Sequence, residues 1–329
     1  MKRNIWQALV RPSTRELYRE GKRIPGYTLF DFLHGYVYGR WPYLYIGIGT
    51  GEHFLAKTVG PLIRLIQEFL AVLNFMNGIP EANDATDELK VETGLSFADT
   101  YHGKVVPLAS ATRLVSIQED IQLKNLEKII PYSKARDIIL HNPDHIVALE
   151  CPCRSSRQNP CLPLEVCLVV GDPFASFVEA HHPRRSRRIT QSEAVEILQA
   201  ENQRGHVHHA FFKDAMLGRF YAICNCCACC CGAMHAHRNG TPMLAASGYI
   251  SQVDADLCIG CGDCVEACQF GAISLNEFSA VVSGQDCMGC GVCESICVQG
   301  AHTLVREPSK GEPLEISELI RDFEKAVRS

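Results

Sequence analysis

Cys258-Ile259-Gly260-Cys261-Gly262-Asp263-Cys264-Val265-Glu266-Ala267-Cys268 recurs 29 residues later as Cys287-Met288-Gly289-Cys290-Gly291-Val292-Cys293-Glu294-Ser295-Ile296-Cys297. Each copy spaces its thiols C-x2-C-x2-C-x3-C, and the tails are alike: Gln269-Phe270-Gly271-Ala272-Ile273 and Val298-Gln299-Gly300-Ala301-His302. Three thiols two residues apart wrap one face of a compact metal–sulfur group. Gly260, Gly262, Gly289 and Gly291 let backbone N–H groups approach the sulfurs, which raises a reduction potential. Zinc also accepts four thiolates, but usually from paired C-x2-C knuckles set far apart, not from a run of four.

This repeat resembles the bacterial two-[4Fe-4S] ferredoxin family. The resemblance implies two [4Fe-4S] clusters with crossed ligation, in which the fourth cysteine of each run serves the other cluster. Cluster I would take Cys258, Cys261, Cys264 and Cys297, and cluster II Cys287, Cys290, Cys293 and Cys268. The family places proline after each fourth cysteine; Gln269 and Val298 stand there instead. That loosens the turn but removes no ligand. Residues 250–305 carry seven acids and no lysine or arginine. They suit a solvated rim around anionic clusters and a basic docking partner, or equally an ordinary solvated acidic face.

Ten further cysteines lie upstream: Cys151, Cys153, Cys161, Cys167, Cys224, Cys226, Cys227, Cys229, Cys230 and Cys231. The strings Glu150-Cys151-Pro152-Cys153-Arg154 and Cys224-Asn225-Cys226-Cys227-Ala228-Cys229-Cys230 resemble a domain that precedes ferredoxin modules in uncharacterised iron–sulfur proteins of anaerobes. Successive side chains of an extended segment point opposite ways, so Cys226 and Cys227 are expected to serve two sites. Ten thiols allow two more [4Fe-4S] clusters, one cluster plus a redox dithiol, or one structural zinc with bystanders. Crowded thiols without metal would be an oxidation hazard. Arg154, one residue past a candidate ligand, is a candidate to hydrogen-bond a cluster or offset its charge; a surface arginine is the alternative.

All 18 cysteines of the 329 residues follow position 150. The thiols are therefore local equipment and not the means of folding, which a chain this long achieves with its own core. No secretory leader or long apolar run is evident, so a cytoplasmic chain with reduced thiols is expected, at most touching a membrane peripherally. The net charge of −5 argues against nucleic acid.

The expected fold class is α+β, in four parts. Residues 1–110 form a thiol-free, aromatic-rich helical docking region, 111–248 a cysteine-rich mixed α/β domain, 249–305 the ferredoxin-like domain and 306–329 a helical tail. In the first part, Tyr43–Ile46 reads as a strand before Gly47-Ile48-Gly49-Thr50-Gly51, which lacks a dinucleotide fingerprint's third glycine. Residues 61–76 read as a helix with a wide apolar face suited to the core, a partner or a membrane surface, followed by an acidic loop from Glu81 to Glu88. In the second part, Ser116–Glu119 reads as a capping box opening a helix to Ile130, and Ser133–His141 as a second helix. Ile146–Leu149 and Glu165–Val170 read as paired strands, and Thr190–Glu193 caps a helix ending at Gly205. The tail's Ile316, Leu319, Ile320, Phe323 and Val327 form one stripe that should dock on the body.

His206, His208, His209, His235 and His237 lie close to the thiols as candidate ligands or proton relays. Arg184, Arg185, Arg187 and Arg188 form a basic run that suits a solvated loop or an acidic partner. The expected function is multi-cluster electron transfer, as a subunit of, or dedicated donor to, a larger anaerobic oxidoreductase. The alternative is a reductase whose own site lies among the middle cysteines and histidines.

Overall fold

The computed structural model describes residues 10–49, 55, 101–132 and 136–328. The 61–76 helix, the acidic loop after it and Thr50-Gly51 lie outside the described residues. The fold is α+β.

One eight-stranded sheet organises the body. Its strands are β1 (Tyr101–Val105), β2 (Ile121–Leu123), β3 (Ile138–Glu150), β4 (Glu165–Asp172), β5 (Ser186–Ile189), β6 (Val207–Lys213), β7 (Arg219–Cys226) and β8 (Leu244–Ala245). The order is β2-β3-β4-β7-β6-β1-β8, with β5 also paired to β3. All pairs are antiparallel except β1–β8. β1 falls in the thiol-free part of the sequence, yet it pairs with β6.

Both faces of the sheet are covered, so the central strands carry apolar residues without a polar side. Alternation still sorts them. Val147, Val169 and Phe211 face one core, which includes Leu17, Tyr38, Ile46, Phe174 and Phe177. Ile146, Ala148, Leu168, Val170, Ala210 and Phe212 face the other, with Leu114, Leu198, Leu314 and Ile316. The first face is covered by the N-terminal helices Pro12–Lys22, Leu29–Arg40 and Pro42–Gly49 and by Phe174–His181; the second by Leu108–Val115, Gln191–Gln203 and the tail helix Ile316–Arg328. The tail docks as its stripe implies, with Leu319 and Ile320 against this second core.

Several local expectations fail for identifiable reasons. Tyr43–Ile46 is helical, within Pro42–Gly49. Proline opens that helix at a position where its missing N–H costs nothing, and tertiary packing outweighs the strand preference of the aromatics. Ser116–Ile130 is not a helix: it turns into β2, which pairs Ile121–Leu123 with Ile138–Leu140. The second expected helix is replaced in its described part by β3, whose β-branched Ile138 and Ile139 suit a strand. Asn142-Pro143 does not end an element; the β3–β4 register shifts between His141 and Ile146, and Asn142 takes φ 49° there. The strands at Ile146–Leu149 and Glu165–Val170 pair as expected, and Thr190 caps Gln191–Gln203 through Glu193 N–H (3.1 Å).

The C-terminal module is built from β9 (Tyr249–Val253), β10 (Ile273–Leu275), β11 (Ala280–Val282) and β12 (His302–Arg306), with short helices Asp263–Ala267 and Val292–Ile296. β9 pairs with β12 and β10 with β11, both antiparallel. Gly289 lies against Tyr249 O and Ser247 Oγ, where any Cβ would clash, and its φ is +66°.

Candidate metal centres

The two cysteine runs of the module form two hollows, each of about 20 Å³. Cys258, Cys261 and Cys264 line the first together with Cys297; Cys287, Cys290 and Cys293 line the second together with Cys268. The fold thus carries each fourth cysteine to the opposite run. Each helix follows a left-handed glycine, Gly262 or Gly291, and ends at that fourth cysteine. Backbone donors point at sulfur: Ala272 N–H to Cys268 Sγ (3.2 Å), Ala301 N–H to Cys297 Sγ (3.3 Å) and Ala280 N–H to Cys258 Sγ (3.4 Å). Ser251 Oγ lies 3.2 Å from Cys293 Sγ and 2.9 Å from His302 Nδ1. Four thiols, with backbone N–H groups aimed at two of them in the first hollow and at one in the second, suit an iron–sulfur cluster. These donors were not anticipated, although the Gly-Ala common to both tails marks two of them.

The hollows differ in setting. Around the first, Ile259, Leu275 and Val298 are exposed, at 66%, 46% and 82%. The second is turned inward, with Met288 and Val292 buried in the core shared with the sheet and Cys290 packed against it. Gln269, at the position where proline was expected, accepts a hydrogen bond from Ala228 N–H (2.7 Å). The departure from the proline pattern therefore joins the module to the middle cysteine run.

The ten middle thiols separate into two groups. Six of them, Cys151, Cys153, Cys167, Cys224, Cys226 and Cys231, line one apolar cavity of about 70 Å³, to whose wall Cys227 of the second group also contributes. Strand pairing places Cys167 opposite Cys224, and Cys226 shares a face of β7 with Cys224. Cys151 follows β3, Cys153 sits in the Pro152–Ser155 turn of helix, and Cys231 caps Gly232–Arg238. The sulfurs run in a ring: Cys167 lies 3.6 Å from Cys224 and Cys226 lies 3.3 Å from Cys231, while Cys151 touches Cys153 and Cys167, and Cys153 touches Cys231. The thiol-free N-terminal helices close this chamber with Leu17, Tyr38 and Ile46. Tyr38 Oη hydrogen-bonds Tyr221 Oη at 2.7 Å.

The remaining four, Cys161, Cys227, Cys229 and Cys230, have all their sulfurs within 4.8 Å of one another. The run therefore divides at Cys226/Cys227, where β7 ends, and again at Cys230/Cys231, where the turn at 228–230 gives way to the Gly232–Arg238 helix.

Burial favours the protonated form of the chamber thiols. The Cys153 thiol and burial push Cys151 up to about 12. At Cys226 the hydrogen bond with Cys231 works downward, but burial and the neighbouring Cys224 push the thiol up to about 12. Such thiols become thiolates when a metal replaces the proton. Arg154 is not a surface residue: it is 1% exposed. Its guanidinium donates to Pro163 O (2.6 Å), Glu201 Oε2 (2.6 Å) and Asn225 O (2.9 Å), with His206 Nδ1 at 3.1 Å. Burial opposes its charge, but Glu201 and, more weakly, Cys151 and Cys227 hold it protonated.

The histidines take other roles. His206 binds Glu201 (2.7 Å), His208 binds Asn225 Oδ1 (2.6 Å), and His209 is buried in β6. Burial keeps His208 and His209 well below the ordinary imidazole value, at about 4 and about 3. His235 lies 3.1 Å from Cys229 O, and His237 packs edge-on against Phe270. The basic run is not a free loop: Arg187 and Arg188 lie on β5, Arg187 pairs with Glu165 (2.9 Å) and Glu193 (2.6 Å), and Arg185 stacks over Tyr43.

Residues 257–310 match the family of 4Fe-4S dicluster domains. No curated protein matches the chain. Among the described residues, no helix is long and apolar enough to cross a membrane.

Proposed function

We propose that the chain is a multi-cluster electron-transfer protein, a subunit of or dedicated donor to a larger anaerobic oxidoreductase in the cytoplasm. Its 4Fe-4S dicluster domain and its cysteine-rich middle region support an iron–sulfur electron-transfer role. The carrying observation is the placement of three thiolate sites between surface and centre: an outward hollow, an inward hollow and the chamber.

Cys258, Cys261, Cys264 and Cys297 hold one [4Fe-4S] cluster, and Cys268, Cys287, Cys290 and Cys293 the second. The six chamber thiols hold a third. Bound clusters supply one-electron redox chemistry. The protein's own part is to bind them, to aim N–H donors at their sulfurs and to exclude water. Arg154 offsets thiolate charge beside the chamber. The exposed Ile259, Leu275 and Val298 beside the outward hollow, in a segment whose only charges are acids, form the face for a basic redox partner. The four-part organisation with boundaries at 110, 248 and 305 belongs to this reading, the N-terminal part covering the chamber. So does the likeness of the middle region to domains preceding ferredoxin modules in anaerobes.

The test is EPR on anaerobically purified, reduced protein. Interacting signals from two neighbouring clusters are expected; a colourless protein without labile sulfide contradicts the reading.

One observation favours a second reading, a reductase acting at the chamber. Six thiols exceed the four that a cubane needs, and an apolar cavity lined by Phe174, Phe177 and Tyr221 adjoins them. Cyanide distinguishes the two: it shifts the chamber cluster's spectrum only if an iron there is open.

A further inference from the structure

We infer that Cys161, Cys227, Cys229 and Cys230 bind a single tetrahedral metal ion, zinc or iron, and not a fourth [4Fe-4S] cluster. The inference does not depend on the electron-transfer reading.

Spacing carries the argument. Four sulfurs bonded to one ion at about 2.3 Å stand about 3.8 Å apart along the edges of a tetrahedron. A cubane interposes four irons, so its thiolates stand farther apart. All four sulfurs here lie within 4.8 Å of one another, with Cys161–Cys229 at 3.0 Å and Cys229–Cys230 at 3.6 Å. Among the described residues, neither quartet of the dicluster domain gathers its donors so closely. Those quartets enclose cluster hollows; this one converges on a point. It contains only sulfur donors, which selects zinc or iron over magnesium or calcium.

The surroundings fit the charge. A divalent ion with four thiolates carries a charge of about −2. Three side chains clasp consecutive carbonyls of the loop: Arg238 Nη2 donates to Ala228 O (2.5 Å), His235 Nε2 lies 3.1 Å from Cys229 O, and Arg157 Nη2 donates to Cys230 O (3.3 Å). Two guanidinium groups thus stand beside the ligand loop. Four protein ligands leave no open position, so the ion binds no substrate. It fastens the loop bearing Cys161 to the 227–230 turn. Cys227 also borders the chamber, and Ala228 binds Gln269 of the dicluster domain. The ion therefore holds the wall between chamber and inward hollow.

The experiment compares the full chain, purified anaerobically, with Cys161→Ser and Cys229→Ser, two positions that are not fully buried. Zinc, iron and acid-labile sulfide are counted per chain. The expected result is one metal equivalent in excess of labile sulfide, lost in both variants while sulfide is unchanged. Zinc analysis identifies zinc; a high-spin ferric EPR signal after mild oxidation identifies iron. Loss of about four irons with four sulfides would show a cubane and overturn the inference, as would variants with unchanged metal content. If the variants fail to fold, X-ray absorption on the wild type decides. Zinc or non-cluster iron bound by four sulfurs at about 2.3 Å supports the site, and the absence of any such ion refutes it.

Discussion

The eight thiols of the C-terminal module come from two runs of eleven residues, whereas the six thiols of the chamber come from four places between Cys151 and Cys231. In the module, one turn and one short helix fix each run, and a single exchange between runs completes both sites. In the chamber, strand pairing, a helix cap and a turn must all be in place before the sulfurs meet, and three N-terminal helices close over them. Local sites resist changes elsewhere in the fold. Non-local sites depend on the whole fold and gain shielding from water in return.

That contrast can be broken most sharply by removing ligands. Cys268→Ser should cost the inward hollow about four irons, and Cys297→Ser should cost the outward one the same, although each residue belongs to the other run. Cys224→Ser should leave the chamber's iron in place, because five thiols remain where a cubane needs four. Anaerobic iron and sulfide analysis of the three variants checks this; equal losses in all three would erase the distinction.

Arg154→Met should destabilise the fold by about 2 kcal/mol: Glu201 keeps Arg204 and His206, but the buried carbonyls of Pro163 and Asn225 lose their donor. Denaturant unfolding measures it, and the module's iron should remain. Tyr38→Phe should cost about 1 kcal/mol by removing its hydrogen bond to the Tyr221 hydroxyl over the chamber. It should alter the chamber's EPR signal and not those of the module.

The smallest expected effect concerns the scaffold alone. His145 Nδ1 lies 3.0 Å from Asp172 Oδ1, and this hydrogen bond raises the histidine's pKa. Burial works against the Asp172 charge, but His145, Ser176 and Asn142 hold it below the carboxylate range. The histidine's contribution is full below about pH 6.5 and is lost as pH rises through its higher folded value. The carboxylate's contribution is present above about pH 4 and lost as pH falls. Stability measured across this window should fall by about 1 kcal/mol at alkaline pH, and Asp172→Asn should remove that change without altering iron content.

What the sequence reveals follows the same division. The hollows were legible because their ligands repeat at fixed short spacing, and the exchange of fourth cysteines came with the family resemblance. The separation of Cys226 from Cys227 was expected from strand alternation, although it falls where β7 ends. The ring itself was not, because it requires Cys167 to face Cys224 across β4 and β7, 57 residues apart. Ser116-Ile117-Gln118-Glu119 has the letters of a helix cap, but β3 supplies a partner strand that a local pattern does not show. Arg154 read as well as a surface residue until Glu201 and Asn225 were placed around it.

The central claim is that the chamber carries a cluster in addition to the two of the module. Iron and acid-labile sulfide counted on the anaerobically purified full chain test it most directly. The account predicts at least about twelve irons and twelve sulfides per chain, apart from any single ion at Cys161 and its partners; about eight of each would contradict it.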